Sequence, residues 1–344
     1  MHEFIKSRLL ERGIKELNEI QKEAIKGLLE GRNILVCSPT GSGKTLIGEL
    51  ALVSNVLKGK KGIYTVPLRA LANEKYDEFV KSWHPLRIEI TTGDYDKPPK
   101  ELERSDILIT TYEKLDSILR QFRKWLKNIG AIVIDEIHLV NDDHRGPIIE
   151  RLIALLRYYN PSIQIVGLSA TIGNPFSLQK WLEAKLVYSD KRPVRLIEGY
   201  YDSNTKTVYF MNGRKIQIRD ISDLVIDTLK DGANVLILSH SRKSAEKKAI
   251  KLADITRHFL SKEDRKALKN ALEELRENRY EFEKLRTLIS SGIAFHHAGL
   301  SSKSRRLLEQ LFRKRHLKVI SSTPTLAAGI NCLLYTSPSP RDRG

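Results

Sequence analysis

Short apolar runs alternate with amphipathic or charged stretches through the first half of the chain. The apolar runs predict strands at residues 34–37, 63–66, 88–91, 107–110, 131–134 and 165–168. Helical patterns at residues 18–30 and 45–57 flank the first of them, and Asn18 and Gln21 are predicted to cap the first helix in a capping box. Buried strands that alternate with helices are typical of a parallel sheet covered on both faces. The pattern predicts an α/β domain that closes near Leu186.

A second alternating set follows a short basic linker, Lys191-Arg192-Pro193. Strands are predicted at residues 194–201, 207–210, 235–238, 293–295 and 318–321, and helices at residues 221–229 and 304–313. Between them lies one long charged helical stretch at residues 242–288. We therefore expect two α/β domains in tandem, at residues 1–190 and 191–331.

Composition fits two soluble domains, with 344 residues of which 41% are hydrophobic and 29% charged. No apolar run approaches the ~20 residues that a membrane helix needs. The first ten residues lack the uninterrupted apolar segment of a signal peptide. Two cysteines, Cys37 and Cys332, do not make a disulfide framework. We expect a cytoplasmic protein without membrane contact.

The formal net charge of +17 is concentrated in the second half. Residues 1–198 carry 31 basic and 26 acidic side chains, whereas residues 199–331 carry 26 basic and 15 acidic ones. A basic surface suits nucleic acid, because each neutralised phosphate releases counterions. Solvated surface lysines would give the same count, so charge alone leaves both interpretations open.

A glycine-containing loop, Ser38-Pro39-Thr40-Gly41-Ser42-Gly43, lies between the first predicted strand and the helix that begins near Lys44-Thr45. Glycines allow backbone amides to approach phosphate groups, and a helix N-terminus attracts them. Lys44 would reach the outer phosphates of a nucleotide, and the Thr45 hydroxyl would bind magnesium. The strict phosphate-loop pattern has glycine where this chain has Ser38, which favours helicase-type loops over nucleotide kinases.

An acidic pair, Asp135-Glu136, follows the apolar run at residues 131–134. Charges at the end of a strand often only meet solvent, but ligands of parallel sheets bind at the carboxyl ends of the strands. We expect Asp135 to hold magnesium and Glu136 to activate the attacking water. His296 and His297 are adjacent and should point to opposite faces of a strand, so we interpret them as structural or phosphate-proximal.

These motifs resemble those of superfamily 2 DExH-box helicases over residues 1–331. The resemblance implies two RecA-like domains that bind ATP and Mg²⁺. It implies that Gln21 reads adenine, that residues 38–45 form motif I, that Asp135-Glu136-Ile137-His138 form motif II, and that Ser169-Ala170-Thr171 couple hydrolysis to the grip on a strand. It also implies nucleic-acid contacts by Pro67, Arg69, Thr92, Gly93, Thr111, Ser239, Ser241, Arg242, Thr323 and Thr325.

The segments at residues 67–72, 92–95, 110–116 and 323–329 are similar to those of archaeal DNA helicases related to helicase Q and to the helicase half of DNA polymerase theta. This branch implies a monomeric 3′-to-5′ helicase acting on single-stranded or forked DNA in replication-fork repair. Two alternatives stay open: an RNA helicase of the superkiller type, and a non-catalytic, ATP-gated nucleic-acid clamp.

After Asn331 the sequence departs from the family pattern. We expect residues 332–344 to be an adapter-derived, non-native tail, and domain 2 to be truncated after motif V, before the paired arginines of motif VI. Such a chain should bind ATP and Mg²⁺ weakly and hydrolyse ATP poorly, because an arginine finger contributes ~10³–10⁵ in rate in related hydrolases.

Overall fold

The computed structural model describes residues 2–93, 99–121, 123–191 and 196–324. The chain divides into two compact units, residues 1–194 and 195–344. The first contains the helices α1 (Glu3–Glu11), α2 (Glu19–Leu29), α3 (Lys44–Val56), α4 (Arg69–Ser82), α5 (Pro99–Leu102), α6 (Tyr112–Gln121), α7 (Gly146–Tyr159) and α8 (Pro175–Leu182). Its strands are β1 (Asn33–Cys37), β2 (Lys61–Val66), β3 (Ile88–Thr91), β4 (Ile107–Thr111), β5 (Ile129–Ile134), β6 (Gln164–Ser169) and β7 (Ala184–Tyr188).

These seven strands form one parallel sheet in the order β3-β4-β2-β5-β6-β1-β7. Its two faces bury different helices, because alternate residues of a strand point to opposite sides. On β1, Ile34 and Val36 pack into a core with α1 to α4, whereas Leu35 packs with α6, α7 and α8 on the other face. The predicted doubly wound α/β fold is confirmed.

The second unit contains α9 (Ile221–Lys230), α10 (Arg242–Thr256), α11 (Lys262–Leu275), α12 (Arg279–Ser290) and α13 (Ser302–Arg313). Its strands are β8 (Gly199–Asp202), β9 (Thr207–Phe210), β10 (Lys215–Gln217), β11 (Val235–Leu238), β12 (Ile293–His296) and β13 (Val319–Ser322). β8, β9 and β10 form a small antiparallel sheet. The described residues also form a parallel sheet in the order β11-β13-β12.

The long charged stretch at residues 242–288 is helical, as predicted, but it is divided into three helices. α10 ends in a short 3-10 turn, Arg257–Phe259, and the chain is extended at Leu260. Ser261 then caps α11 in a capping box with Asp264, and Asn278 caps α12. Each cap satisfies backbone amides that a continuing helix would have bonded internally, so these polar residues restart the helix.

Three further differences concern strands. β7 and β10 were not predicted, and β8 begins at Gly199 although a strand was expected from residue 194. Residues 192–195 and 325–344, which include Thr325 and the expected non-native tail, lie outside the described residues. Within the described part of the chain, no helix has the length and apolarity needed to cross a membrane.

Candidate active site

The loop between β1 and α3 is a tight turn at the carboxyl end of the sheet. Gly41 and Gly43 have φ values of 81° and 85°, in the left-handed region that favours glycine. A Cβ on Gly43 would lie 2.5 Å from Gln21 Nε2. Glycine at position 43 therefore satisfies both the backbone conformation and the close approach of the neighbouring side chain.

Two carboxamides from the start of α2 brace this loop. Asn18 and Gln21 form the predicted capping box, in which each side chain accepts the other residue's backbone N–H. Asn18 Nδ2 also donates to the Ser42 carbonyl at 2.9 Å, and Gln21 Nε2 donates to the Gly43 carbonyl at 3.2 Å. The sequence predicted Asn18 only as a helix cap, and its contact with the loop was missed.

Hydrogen bonds within the loop hold the side chains of Ser38, Ser42 and Lys44. Ser38 Oγ and Ser42 Oγ are 2.7 Å apart. Lys44 Nζ donates to the carbonyls of Ser38 and Pro39 at 2.6 and 3.0 Å. Burial lowers the pKa of Lys44, and the nearby Glu136 and Asp135 carboxylates oppose that shift. The loop thus presents a half-buried ammonium group close to the acidic pair.

Asp135 lies directly after β5, and its backbone N–H donates to the Thr65 carbonyl of β2 at 3.0 Å. Its carboxylate accepts hydrogen bonds from the Tyr64 hydroxyl at 2.8 Å and from the backbone N–H of Glu136 at 3.1 Å. The Tyr112 hydroxyl donates to its backbone carbonyl. Both tyrosine rings are fully buried.

Glu136 has an unusual backbone and an unusual acidity. Its φ of 54° is left-handed, a conformation that side chains other than glycine adopt at a cost in free energy. Burial and the neighbouring Asp135 carboxylate together raise the pKa of its carboxyl group to about 7, against the opposing effect of the Lys44 ammonium. Burial likewise raises the pKa of Asp135, which Lys75 and Lys44 oppose.

The oxygens at this edge of the sheet fit magnesium. Mg²⁺ prefers oxygen ligands and usually binds through one or two carboxylates, waters and substrate phosphates. Asp135 and Glu136 provide two half-buried carboxyl groups. Thr45 lies in the first turn of α3, and this helix packs on β5, since a Cβ on Gly48 would lie 3.0 Å from Val133 Cγ1; Asp135 follows directly after that strand. Asp135 and Thr45 could therefore hold one cation between them.

His138 links the acidic pair to the end of β6. It lies in a 3-10 turn, Ile137–Asn141, which also buries Ile137. His138 Nδ1 is 3.4 Å from Glu136 Oε2 and 3.2 Å from Ser169 Oγ. Ser169 is paired in register with Cys37 on β1, so it lies between the loop and the acidic pair. Ala170 is half-buried and Thr171 is exposed.

The residues predicted to contact nucleic acid in the first unit lie at the carboxyl ends of β2, β3 and β4, which are neighbours in the sheet. Pro67 is buried and Arg69 is exposed. A Cβ on Gly93 would lie 2.2 Å from Arg69 Nη2, so the guanidinium group covers that glycine. Thr92 and Thr111 are buried, and the Thr92 hydroxyl lacks a hydrogen-bond partner among the described residues.

In the second unit, the predicted residues follow β11 and β13, which are paired in parallel. Ser239 is buried, Ser241 caps α10, and Arg242 is exposed at the first position of that helix. Thr323 is buried after β13, and its backbone N–H donates to the His296 carbonyl at 3.1 Å.

The two adjacent histidines have partners on different helices. His296 Nε2 is 2.9 Å from Glu309 of α13, and His297 Nε2 is 3.1 Å from Glu246 of α10. The described residues contain no group of three or more His, Cys, Asp or Glu side chains able to hold a metal ion. Each histidine therefore ties the β12 end of the sheet to one neighbouring helix.

Residues 18–178, which contain the loop, the acidic pair and Ser169, match the DEAD/DEAH box helicase family. Over this stretch the chain is similar to DEAD/DEAH box helicases, which agrees with the superfamily 2 resemblance of the motifs.

The chain is further similar to proteins named ATP-dependent DNA helicase Hel308. It is 48% identical to the one from Caldivirga maquilingensis, over 93% of this chain and 44% of that protein. It is 44% identical to the one from Pyrococcus horikoshii, over 96% of this chain and 46% of that protein. The chain thus spans less than half the length of these relatives.

Proposed function

We propose that this chain binds ATP and magnesium at the carboxyl edge of its seven-stranded sheet, and that the whole protein uses ATP hydrolysis to separate DNA strands. One observation carries the proposal. Lys44 and the pair Asp135–Glu136 are far apart in sequence, yet they follow β1 and β5, parallel strands that are separated in the sheet only by β6. A phosphate-binding lysine and a water-activating carboxylate are needed together for phosphoryl transfer to water.

The roles follow from the positions of the side chains. The backbone amides of residues 38–43 and the N-terminus of α3 would receive the phosphates. Lys44 would bind the outer phosphates, Gln21 would read the adenine, and Thr45 and Asp135 would hold magnesium. Bound magnesium supplies positive charge that neutralises the phosphate oxygens during transfer.

Glu136 would accept the proton of the attacking water. A general base works best when its pKa lies near the working pH, and the pKa of about 7 at Glu136 meets that condition. His138 contacts both Glu136 and Ser169, so a displacement of Glu136 would be transmitted through His138 to Ser169 and to the next residues, Ala170 and Thr171. We propose that this series of contacts couples ATP hydrolysis to the binding of a nucleic-acid strand.

The proposed substrate is single-stranded or forked DNA, on which the monomeric protein moves in the 3′-to-5′ direction during replication-fork repair. The DNA helicase names of its relatives support DNA over RNA. The basic excess of residues 199–331 supports a polyanionic partner. Pro67, Arg69, Thr92, Gly93 and Thr111 would contact the strand in the first unit, and Ser239, Ser241, Arg242, Thr323 and Thr325 in the second.

The test compares the protein at the full length of its relatives with its Glu136→Gln variant. We expect the variant to bind ATP with unchanged affinity but to lose ATP turnover and the unwinding of a forked DNA, because glutamine cannot accept the proton. Measuring turnover with matched single-stranded DNA and RNA separates the DNA helicase from the superkiller-type RNA helicase. Strand separation by the Glu136→Gln protein, or stimulation by RNA alone, would contradict the proposal.

A further inference from the structure

Two buried tyrosines hold Asp135 from opposite ends of the residue. The hydroxyl of Tyr64, on β2, donates to the carboxylate at 2.8 Å. The hydroxyl of Tyr112, at the start of α6, donates to the backbone carbonyl. A buried tyrosine hydroxyl needs a hydrogen-bond partner, but that need alone does not place two such groups on one residue.

The hydrogen bond from the Tyr112 hydroxyl is made to the peptide group that joins Asp135 to Glu136. The carbonyl of Asp135 belongs to the same peptide plane as the N–H of Glu136, and that N–H donates to the Asp135 carboxylate. Glu136 itself has a left-handed backbone. A conformation of this kind persists only where the surroundings fix it, and Tyr112 provides such a fixed contact at the preceding carbonyl.

The tyrosine rings cannot move without disturbing the core. The Tyr64 ring packs edge-to-face on Phe79 of α4, with centroids 5.3 Å apart at an interplanar angle of 69°. Neither Tyr64 nor Tyr112 has exposed surface. Their hydroxyl groups are therefore held by the protein core rather than by solvent, so that Tyr64 fixes the Asp135 carboxylate and Tyr112 fixes its backbone carbonyl.

We propose that Tyr64 and Tyr112 are positioning residues for the magnesium ion that accompanies ATP, acting by fixing the carboxylate and the backbone of Asp135. This inference rests on the proposed function, because it concerns the same site. A metal ligand that is already oriented loses less freedom when the ion binds, and removing such an outer contact typically lowers metal affinity. Among the residues proposed to bind magnesium, Asp135 is the one to which the hydroxyls of Tyr64 and Tyr112 donate.

The test measures the affinity of a fluorescent ATP analogue for this chain, with and without Mg²⁺, in Tyr64→Phe and Tyr112→Phe. Each change removes one hydroxyl and keeps the ring. We expect the Mg²⁺ affinity of the nucleotide complex to fall by about tenfold in each variant, with metal-free nucleotide affinity unchanged. Tyr76→Phe is the matched control, because Tyr76 lies on α4 and is half-buried against the same core as Tyr64.

Metal-free binding also reports whether each variant is folded. Unchanged Mg²⁺ affinity in both variants, or an equal loss with and without Mg²⁺, would overturn the inference. If the unaltered chain binds the analogue without any dependence on Mg²⁺, the proposed magnesium site itself fails, which is a separate result from a failure of the tyrosines alone.

Discussion

At the residue scale, the candidate site shows which functional side chains can be predicted from a sequence pattern. Lys44, Asp135 and Glu136 were predicted because each follows a recognisable apolar run or glycine-containing loop. Tyr64 and Tyr112 were missed, since a tyrosine in a buried strand or at a helix start is indistinguishable in sequence from a core residue. For Asn18, the sequence predicted the capping role, which involves only neighbouring residues. It did not predict the hydrogen bond to the Ser42 carbonyl, which is distant in sequence.

The shifted acidity of Glu136 gives a prediction for the chain without nucleotide or metal. We expect its carboxyl group to titrate with a midpoint of about 7 rather than at the ordinary pKa of about 4.3. Carbon-detected NMR of labelled glutamate side chains would measure it. In Lys44→Ala the midpoint should rise further, because the ammonium group favours the ionised carboxylate.

The same shift has a consequence for stability, with a definite sign. A raised pKa in the folded state favours folding below the unfolded pKa, and this benefit is lost as pH rises through about 7. Glu136→Gln should therefore raise the melting temperature relative to the unaltered chain at pH 8 but not at pH 4. A midpoint near 4.3, or the same stability difference at both pH values, would contradict this interpretation.

At the element scale, the loop between β1 and α3 depends on Gly43. Gly43→Ala should weaken nucleotide binding by about tenfold or more, because the left-handed backbone is strained by ~1–2 kcal/mol and the new methyl group displaces Gln21. Equilibrium titration with a fluorescent ATP analogue measures the effect. Gly59→Ala is the control, since Gly59 has a φ of 77° but open space around it. Equal loss of affinity in both variants would contradict the role of the Gln21 contact.

The helices of the second unit show where periodicity fails. Residues 242–288 are charged and helical throughout, so the amphipathic pattern alone did not locate the breaks. The breaks are set by single capping residues, Ser261 and Asn278, whose side chains bond the first turn of the next helix. Within a charged helical pattern, the capping residues are therefore needed to predict where each helix begins.

Asp264 ties the start of α11 to the chain before β13. Its carboxylate accepts from Ser261, from His316 Nδ1 at 3.1 Å and from Lys318 Nζ at 2.8 Å. Asp264→Asn should destabilise this region by ~1–3 kcal/mol at pH 7, since hydrogen bonds to a charged group are lost. Amide hydrogen exchange in α11 would measure the change, with exposed Glu263→Gln as the control.

The pH dependence of that loss follows from the pKa of Asp264, which burial raises but which the hydrogen bonds from Lys318, Ser261 and His316 lower, to a net value of about 2. A lowered pKa stabilises the folded state above the unfolded value of about 3.9, and the contribution disappears as pH falls through about 2. The exchange rates of the two chains should therefore converge toward pH 2. A difference that stays constant from pH 7 to pH 2 would contradict the role of the ionised carboxylate.

At the scale of the whole molecule, the α/β class and the positions of most strands along the chain could be predicted, because buried parallel strands are apolar runs of recognisable length. The edge strand β10 could not, since Lys215–Gln217 has a single apolar residue, and β7 was missed because Lys185 interrupts its apolar residues. The site was predictable to the extent that the carboxyl ends of parallel strands meet at one edge of a sheet. The contacts between side chains of the site could not be predicted, because they depend on the register of the strands and on Tyr64 of β2 and Tyr112 of α6.

The central claim is that residues 38–45 and the pair Asp135–Glu136 form one site for ATP with magnesium. The most direct measurement is the equilibrium affinity of this chain for Mg²⁺·ATP, compared with Lys44→Ala and with the exposed control Lys60→Ala. We predict binding by the unaltered chain and by Lys60→Ala, and an affinity lower by about tenfold or more in Lys44→Ala, because a buried charge–phosphate contact is lost. Equal affinity of Lys44→Ala and the unaltered chain would contradict the account.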